Sequence, residues 1–449
     1  VLEGKAITVT SINGPDTCII DGPAADWGVR FEQDETNATV VSGITYRNIN
    51  GTAFDIRGAS PVIHRCVAEK CITGLKSNGL EYGSAFPVVL SCTFDRNTRF
   101  GLDLYFSGID LVDCVVTNNG NSGITLCNTR DTITVSHCLI AGNGWVSWDG
   151  SGVRASSSSG RLDHCTIAGN RSKSGGGGIY LSCDTFFVAE HCIISDNIAP
   201  LGSQIYLGYC RYDYHGTSFE AGADITLKHT AVPDRPHDIE RSKLCHVNEL
   251  EGVIRSDPLL VSGPLGDHYL SHTETGEYET SPCFDAGTDA AAETCFDCRD
   301  RTVCLDTLTT RTDAETDTGM SDLGYHYPPE TECRILRARL SMPYRSYHAG
   351  RSCFCDVTVN NPGESSLENI FLLVVLDVAG QFYFAPSMTE WDGITLSIPP
   401  GESIIRMIPS FTWPDTGSCG NAQWLAGMFS SDLSTVYGDI DVLPFDWGQ

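Results

Sequence analysis

A cysteine returns along this chain at Cys66, Cys92, Cys114, Cys138, Cys165 and Cys192, at intervals of 26, 22, 24, 27 and 27 residues. Five residues after it comes an asparagine: Asn97, Asn119, Asn143, Asn170 and Asn197. Cys71 takes the asparagine place after Cys66, and upstream Gly43 and Asn48 keep the same offset. No other feature limits the fold as tightly, because a repeat of this length means one structural unit stacked many times.

The residues around the cysteine say what that unit is. Three positions before it the side chain is apolar (Ile63, Val89, Leu111, Val135, Leu162, Ala189, then Leu227). Two positions after it the pattern is Ala68, Phe94, Val116, Ile140, Ile167 and Ile194. Alternation of period two is the mark of a strand. Between the first of these positions and the cysteine the inward parity slips by one, which an unbroken strand cannot do, so a bend lies there. A third strand follows the asparagine, with Phe54, Leu75, Leu102, Ile124, Val153, Ile179 and Ile205 predicted inward. Short strands separated by bends in each repeat describe a parallel β-helix, whose rungs bury an apolar face only by stacking.

From these residues, and from the segments flanking them, the sequence resembles bacterial secreted right-handed parallel β-helix proteins of the pectate-lyase-like superfamily. GKAITVTSINGPDTCIIDG (4–22) is similar to that family's first rungs, and SDPLLVSGPLGDHYLSHTETGEYETSPCFDAG (256–287) with SDLGYHYP (321–328) resembles its terminal segment. The resemblance covers residues 1–330. It implies an all-β fold, while the scaffold itself carries lyases, hydrolases, adhesins and structural proteins alike. The family's usual amino-terminal cap has no counterpart before Val1, and no Met or export segment opens the chain. The expectation is therefore a processed chain or part of a longer one. Past Cys333 the rung pattern stops. CFCDVTVNN (353–361), NIFLLVVLDV (369–378), QFYFAP (381–386) and ITLSIPPGESIIRMIPSF (394–411) alternate between turn-rich breaks. They predict an immunoglobulin-like β-sandwich, similar to the accessory domains that follow such helices. The expected division is 1–235 for regular rungs, 236–332 for irregular terminal rungs and a cap, and 333–449 for the sandwich.

Charge narrows the function classes. Lys plus Arg total 29 against 57 Asp plus Glu, a formal net charge of -28. Such a surface repels phosphate backbones and anionic lipid, so nucleic acid is excluded as a partner. No apolar run reaches the ~20 residues of a membrane span. Twenty cysteines without a haem or zinc-finger spacing point to an oxidising, extracellular or cell-surface location.

Each candidate site has a structural reading beside it. The cysteine column reads as a ladder of free thiols packing as small hydrophobes. The asparagine column reads as bend residues able to adopt the left-handed conformation and to bond along the stack. His137, His164, His191 and His229 precede the cysteine position in successive rungs, with His64 two residues before it. On a bend they are expected to form a partly exposed, solvated stack rather than a metal site, losing stability below about pH 6 by mutual repulsion. The outward row Asp55, Lys76, Asp103, Thr125, Arg154, Tyr180 and Tyr206, with Arg57 and Tyr105 beside it, is the candidate glycan face. The family resemblance implies Asp103 as a calcium ligand and Arg154 as a base if the chain is a polysaccharide lyase or glycoside hydrolase. Asp313, Glu315, Asp317 and Asp322 resemble an irregular calcium loop; no other cofactor is expected. CFDC (295–298) with Cys304 fits a zinc cluster or, preferably, a disulfide-stapled loop. Cys333, Cys353, Cys355 and Cys419 are expected to make two bridges. Outward Val115, Leu139 and Ile193 suggest cover by a partner, and an unpaired rung edge suggests a homo-oligomer or filament. The sequence thus predicts a non-catalytic β-helix protein acting in adhesion, polysaccharide contact or self-assembly.

Overall fold

The structure is a computed structural model that describes residues 4–79, 85–129, 133–144, 152–214, 217–329, 337–342, 346–347, 350–361, 363, 365–378, 381–388, 391–412, 420–433 and 436–447. The chain separates into two compact units. The first comprises 1–260, 279–310 and 315–329; the second comprises 261–278, 311–314 and 330–449. Segments 261–278 and 311–314, expected within the β-helix cap, thus cluster with the carboxy-terminal strands.

The first unit is a parallel β-solenoid. Among the described residues its three sheets hold ten, eight and nine strands. Sheet 1 contains Val62–His64, Val88–Leu90, Asp110–Val112, Ile133–Ser136 and Ser159–Asp163; sheet 2 contains Val67–Glu69, Thr93–Asp95, Val115–Thr117, Leu139–Ala141, Thr166–Ala168 and Ile193–Ser195. Sheet 3 contains Thr52–Arg57, Thr73–Asn78, Phe100–Tyr105, Ile124–Cys127, Val153–Ser156, Ile179–Ser182 and Ile205–Gly208. The predicted inward residues of all three sheets are buried in one continuous core. Burying each of its Ile, Leu or Phe side chains contributes about 1.5–3 kcal/mol.

Two of the three bends in each rung are made by single left-handed residues. Between sheets 1 and 2 this residue directly precedes the cysteine: Arg65, Ser91, Asp113, His137, His164 and His191 have φ of 49°, 50°, 56°, 49°, 48° and 52°. That rotation produces the parity slip. Between sheets 2 and 3 it precedes the asparagine, or Cys71 in its place: Lys70, Arg96, Asn118, Gly142, Gly169 and Asp196. The repeating asparagines are therefore not the left-handed residues, contrary to the expectation. The pairing of Thr45 with Val67 sets Ile44 opposite Cys66, so Gly43 and Asn48 occupy the two left-handed columns instead of the cysteine and asparagine columns.

The asparagines run as an amide ladder through the core. Asn97, Asn119 and Asn143 each donate from Nδ2 to Oδ1 of the next at 2.9 Å, and Asn170 donates to Asn197 at 3.0 Å. Asn197 hands on to Gln204 at 2.8 Å. All six ladder cysteines are free and buried. Burial is the main cause that pushes the Cys92 and Cys114 thiols up.

After the last rungs the chain returns along the bend between sheets 1 and 2. Residues 283–310 and 315–327 form this strap, which carries the hairpin Cys295–Asp297/Thr302–Cys304 closed by a Cys295–Cys304 disulfide. Cys298 is a separate buried thiol, so CFDC is a stapled loop. Gly324 N donates to the His191 carbonyl at 2.9 Å, and Tyr325 N donates to Thr166 Oγ1 at 2.9 Å. Outward Leu139 and Ile193 are 5 % and 1 % exposed, and Ile193 lies against Gly324 of the strap. Ile193 is thus covered by the chain's own residues, where a partner was expected; Val115 remains half-buried.

The second unit has a three-stranded antiparallel sheet (Arg337–Ser341, Ser352–Asn361, Gly401–Thr412) and a larger sheet built around Leu367–Val378, Gly420–Ser430 and Val436–Trp447. Both contribute to a core that includes Val357, Leu372, Trp424 and Phe445, an arrangement compatible with a β-sandwich. Cys355 is buried in this core. Cys333, Cys419 and the Cys353 side chain lie outside what is described.

Candidate functional site

Register places the outward residues of sheet 3 in one row. Asp55 pairs with Lys76, Lys76 with Asp103, Asp103 with Thr125, Thr125 with Arg154, Arg154 with Tyr180, and Tyr180 with Tyr206. The row extends to Arg30 at one end and Glu240 at the other. Parallel in-register strands repeat the side-chain position about every 4.8 Å, so the row presents one group per rung.

Its chemistry changes along its length. At one end Asp55 is buried and accepts from Arg30 Nε at 2.6 Å, with Arg57 Nη2 at 3.1 Å from the same carboxylate. This carboxylate is committed to structure. Lys76 is exposed, and Asp103 is half-buried. Burial raises the Asp103 carboxyl, against the lowering fields of Lys76 and Arg99. Arg154 lies over the Tyr180 ring at 5.4 Å, and Tyr180 stacks on Tyr206 with centroids 5.4 Å apart and 20° between planes. Arg154 is thus drawn into an aromatic stack, away from the role of an isolated base. Tyr105 is 36 % exposed and meets Phe106 edge to face.

The histidine column is not solvated as expected. His64, His137, His164 and His191 are only 5 %, 1 %, 6 % and 5 % exposed. The strap supplies part of the cover: Phe296 stacks on His137 at 4.3 Å, His326 N donates to His137 Nε2 at 3.1 Å, and Thr288 Oγ1 lies 2.9 Å from His191 Nε2. Because a backbone N–H occupies His137 Nε2, the ring's hydrogen is on Nδ1, which donates to Asp113 Oδ1 at 3.0 Å. Asp163 Oδ1 faces two rings, His164 Nδ1 at 3.1 Å and His191 Nδ1 at 3.2 Å. Burial opposes ionisation of Asp163, but the hydrogen bonds from His164 and His191 outweigh it and hold the carboxyl well below its usual range. Burial likewise lowers His64 and His164. His164 Nε2 is buried without a hydrogen-bond partner.

The four acidic residues of the expected calcium loop divide between the two units. Asp313 is held by Arg311 at 2.6 Å in the second unit, and Glu315 is exposed. Asp317 and Asp322 meet in the first unit, with His326. Asp113, in the column itself, and Asp163, as a hydrogen-bond partner of the rings, are readable from the sequence; His326 is the residue it does not single out for this column. The only signal for His326 was its place in SDLGYHYP.

Residues 17–160 match a family described as the right handed beta helix region. With the stacked parallel sheets, that match settles the handedness of the coil. The first unit is a right-handed β-helix. No curated protein matches the chain. Among solved structures, it is similar to the CARDB domain of a Pyrococcus furiosus protein in complex with di-metal ions, at 15% identity over 25% of this chain and 92% of that one. The TM-score is 0.19, and that likeness carries no argument for the β-helix protein. Among the described residues, no helix of the β-helix protein is long and apolar enough to cross a membrane.

Proposed function

We propose that this β-helix protein is a non-catalytic extracellular module that contacts a saccharide chain along the outward face of sheet 3. The observation that carries this reading is the register-locked row Lys76, Asp103, Thr125, Arg154, Tyr180 and Tyr206, at one group per rung. Charged side chains fix hydroxyls, and aromatic edges and faces cover apolar sugar surface; a linear polymer laid along the axis would meet them in turn. The extracellular setting rests on the cysteine-rich composition and the Cys295–Cys304 disulfide. Affinity electrophoresis against neutral and uronic-acid polymers tests it. Lys76→Ala, Arg154→Ala and Tyr180→Ala should each weaken retardation about tenfold or more, while an unretarded wild-type chain would sink the reading.

Self-assembly belongs to the same proposal. The strands Thr8–Thr10 and Ile19–Asp21 are exposed throughout and, among the described residues, pair on one side only. A chain that sediments strictly as a monomer at every concentration removes assembly and leaves glycan contact standing.

One observation favours an enzyme as the second reading. The half-buried Asp103 carboxyl is raised by burial, the direction a general acid needs. A lyase would generate absorbance from unsaturated products on uronic-acid polymers, and a hydrolase would generate reducing ends. Either activity, lost in Asp103→Asn, would replace the non-catalytic proposal.

A further inference from the structure

His326 is fully buried, and Asp322 and Asp317 are 1 % and 5 % exposed. One ligating atom from each lies within 4.8 Å of the other two. His326 Nδ1 is 3.1 Å from the Gly324 carbonyl oxygen, which can only accept, so Nδ1 carries hydrogen. In the neutral ring the lone pair is then on Nε2. That atom lies 2.9 Å from Asp317 Oδ2, so two acceptors face each other in a site without solvent. Something positive belongs between them. Among the described residues, His326 is the only basic side chain in an ion pair with either aspartate. A proton on His326 would leave two carboxylates against one cation, a net negative charge in the interior, which is costly. A divalent ion would neutralise the group.

The surroundings match a metal's outer shell. Ligating histidines commonly donate the other ring N–H to a backbone carbonyl, and ligating carboxylates are themselves hydrogen-bonded. Here Asp322 Oδ1 accepts the Asp285 N–H at 2.7 Å, and Asp322 Oδ2 accepts the Thr310 hydroxyl. Asp317 Oδ2 also accepts the Asp322 N–H at 2.9 Å. The 2.9 Å between Nε2 and Oδ2 is the edge of two bonds of roughly 2.0–2.1 Å meeting near a right angle, as in octahedral coordination, and is shorter than a tetrahedral edge of about 3.3 Å. An imidazole nitrogen in the set disfavours calcium and magnesium, which prefer oxygen alone, and suits zinc, manganese, iron or cobalt.

We propose that Asp317, Asp322 and His326 bind one divalent transition-metal ion of the zinc class, which fastens the strap to the solenoid. The mechanical link is short: the backbone N–H of His326 is the donor to His137 Nε2 on the rung bend. Binding would contribute directly to folding, since the unfolded chain has no such site. The site is independent of the saccharide face.

The test uses the full chain. After dialysis against metal-free buffer, elemental analysis should find about one equivalent of zinc or a neighbouring transition metal. Stripping with a chelator should lower the unfolding midpoint; zinc chloride should restore it, and calcium chloride should not. Asp317→Asn and His326→Gln should lose retention. Cobalt(II) loaded into the stripped wild-type chain should give visible bands of oxygen and nitrogen ligands, a readout that survives if either variant fails to fold. No retained metal with a midpoint indifferent to zinc overturns the proposal, leaving a proton between His326 and Asp317. Retention unchanged in well-folded variants overturns it in favour of another group such as Asp163, His164 and His191, and an intense thiolate-to-cobalt band overturns it in favour of the cysteines.

Discussion

Asn143 shows how much one repeated residue can carry. Its Nδ2 donates to Asn170 Oδ1 and to the Val116 carbonyl, both at 2.9 Å, and its Oδ1 accepts from Asn119 Nδ2 at 2.9 Å and Asn119 N at 3.0 Å. Asn143→Ala removes the acceptor for two buried donors and the donor for two buried oxygens. Each buried group left unmade costs about 1–3 kcal/mol, so the substitution should cost about 3 kcal/mol or more, read as a lower urea midpoint at unchanged slope. The histidines yield a second prediction. Burial lowers His64 and His164 from 6.5, so both stay neutral in the folded chain while the unfolded chain gains protons first as pH falls. Their contribution is whole above pH 6.5 and is lost below it. Urea midpoints should agree at pH 7 and 8 and fall from pH 6.5 to 5, less steeply in His164→Gln; a midpoint constant over that range contradicts this account. The cause is desolvation rather than the repulsion between exposed rings expected from sequence. The column itself was legible because spacing reveals it. Its burial was not, because the His326 N–H that caps His137 comes from 189 residues away.

Among elements, the rungs were readable and the strap was not. A strand's inward face leaves a period-two signal, and the parity slip at Asp113 or His137 leaves a trace of the bend. The strap lacks both kinds of pattern, being held by isolated contacts: Tyr325 N on Thr166, Thr288 on His191, Phe296 on His137. Its close approach depends on Gly324, whose φ is 88° and whose Cβ, were there one, would stand 2.6 Å from Thr166 Oγ1 and 2.8 Å from Ile193 Cδ1. A β-branched residue can neither adopt that backbone readily nor fit that space. Gly324→Val should therefore lift this stretch of strap from sheet 2. Hydrogen exchange would show faster exchange at residues 324 and 325 with the solenoid core still protected; unchanged exchange at both amides would mean that the strap is held elsewhere. The expected calcium loop, 313–322, crosses a boundary that its spacing does not mark. Neighbours in sequence, Asp313 and Asp317, belong to different units.

At the scale of the whole molecule, the break in texture near Cys333 marked the carboxy-terminal unit, but the chain enters that unit earlier, at 261–278 and again at 311–314. Irregular segments bear no rung periodicity with which to assign them. Charge, by contrast, is a whole-chain property that needs no fold to be read. With 57 acidic against 29 basic residues, the formal net charge is -28, and compaction brings those carboxylates together. The described ion pairs, such as Arg30–Asp55 and Lys228–Glu190, relieve this only locally. At 0.01 M ionic strength the screening length is about 30 Å, so repulsion acts across much of a domain, whereas at 0.15 M it is about 8 Å. Surface pairs contribute about 0–1 kcal/mol each and weaken over the same range, while the summed repulsion of the excess charge weakens more. The unfolding midpoint should accordingly rise by a few degrees between 10 and 150 mM sodium chloride, then flatten. A midpoint that falls with salt would mean that paired charges, not the excess, govern the stability of this surface.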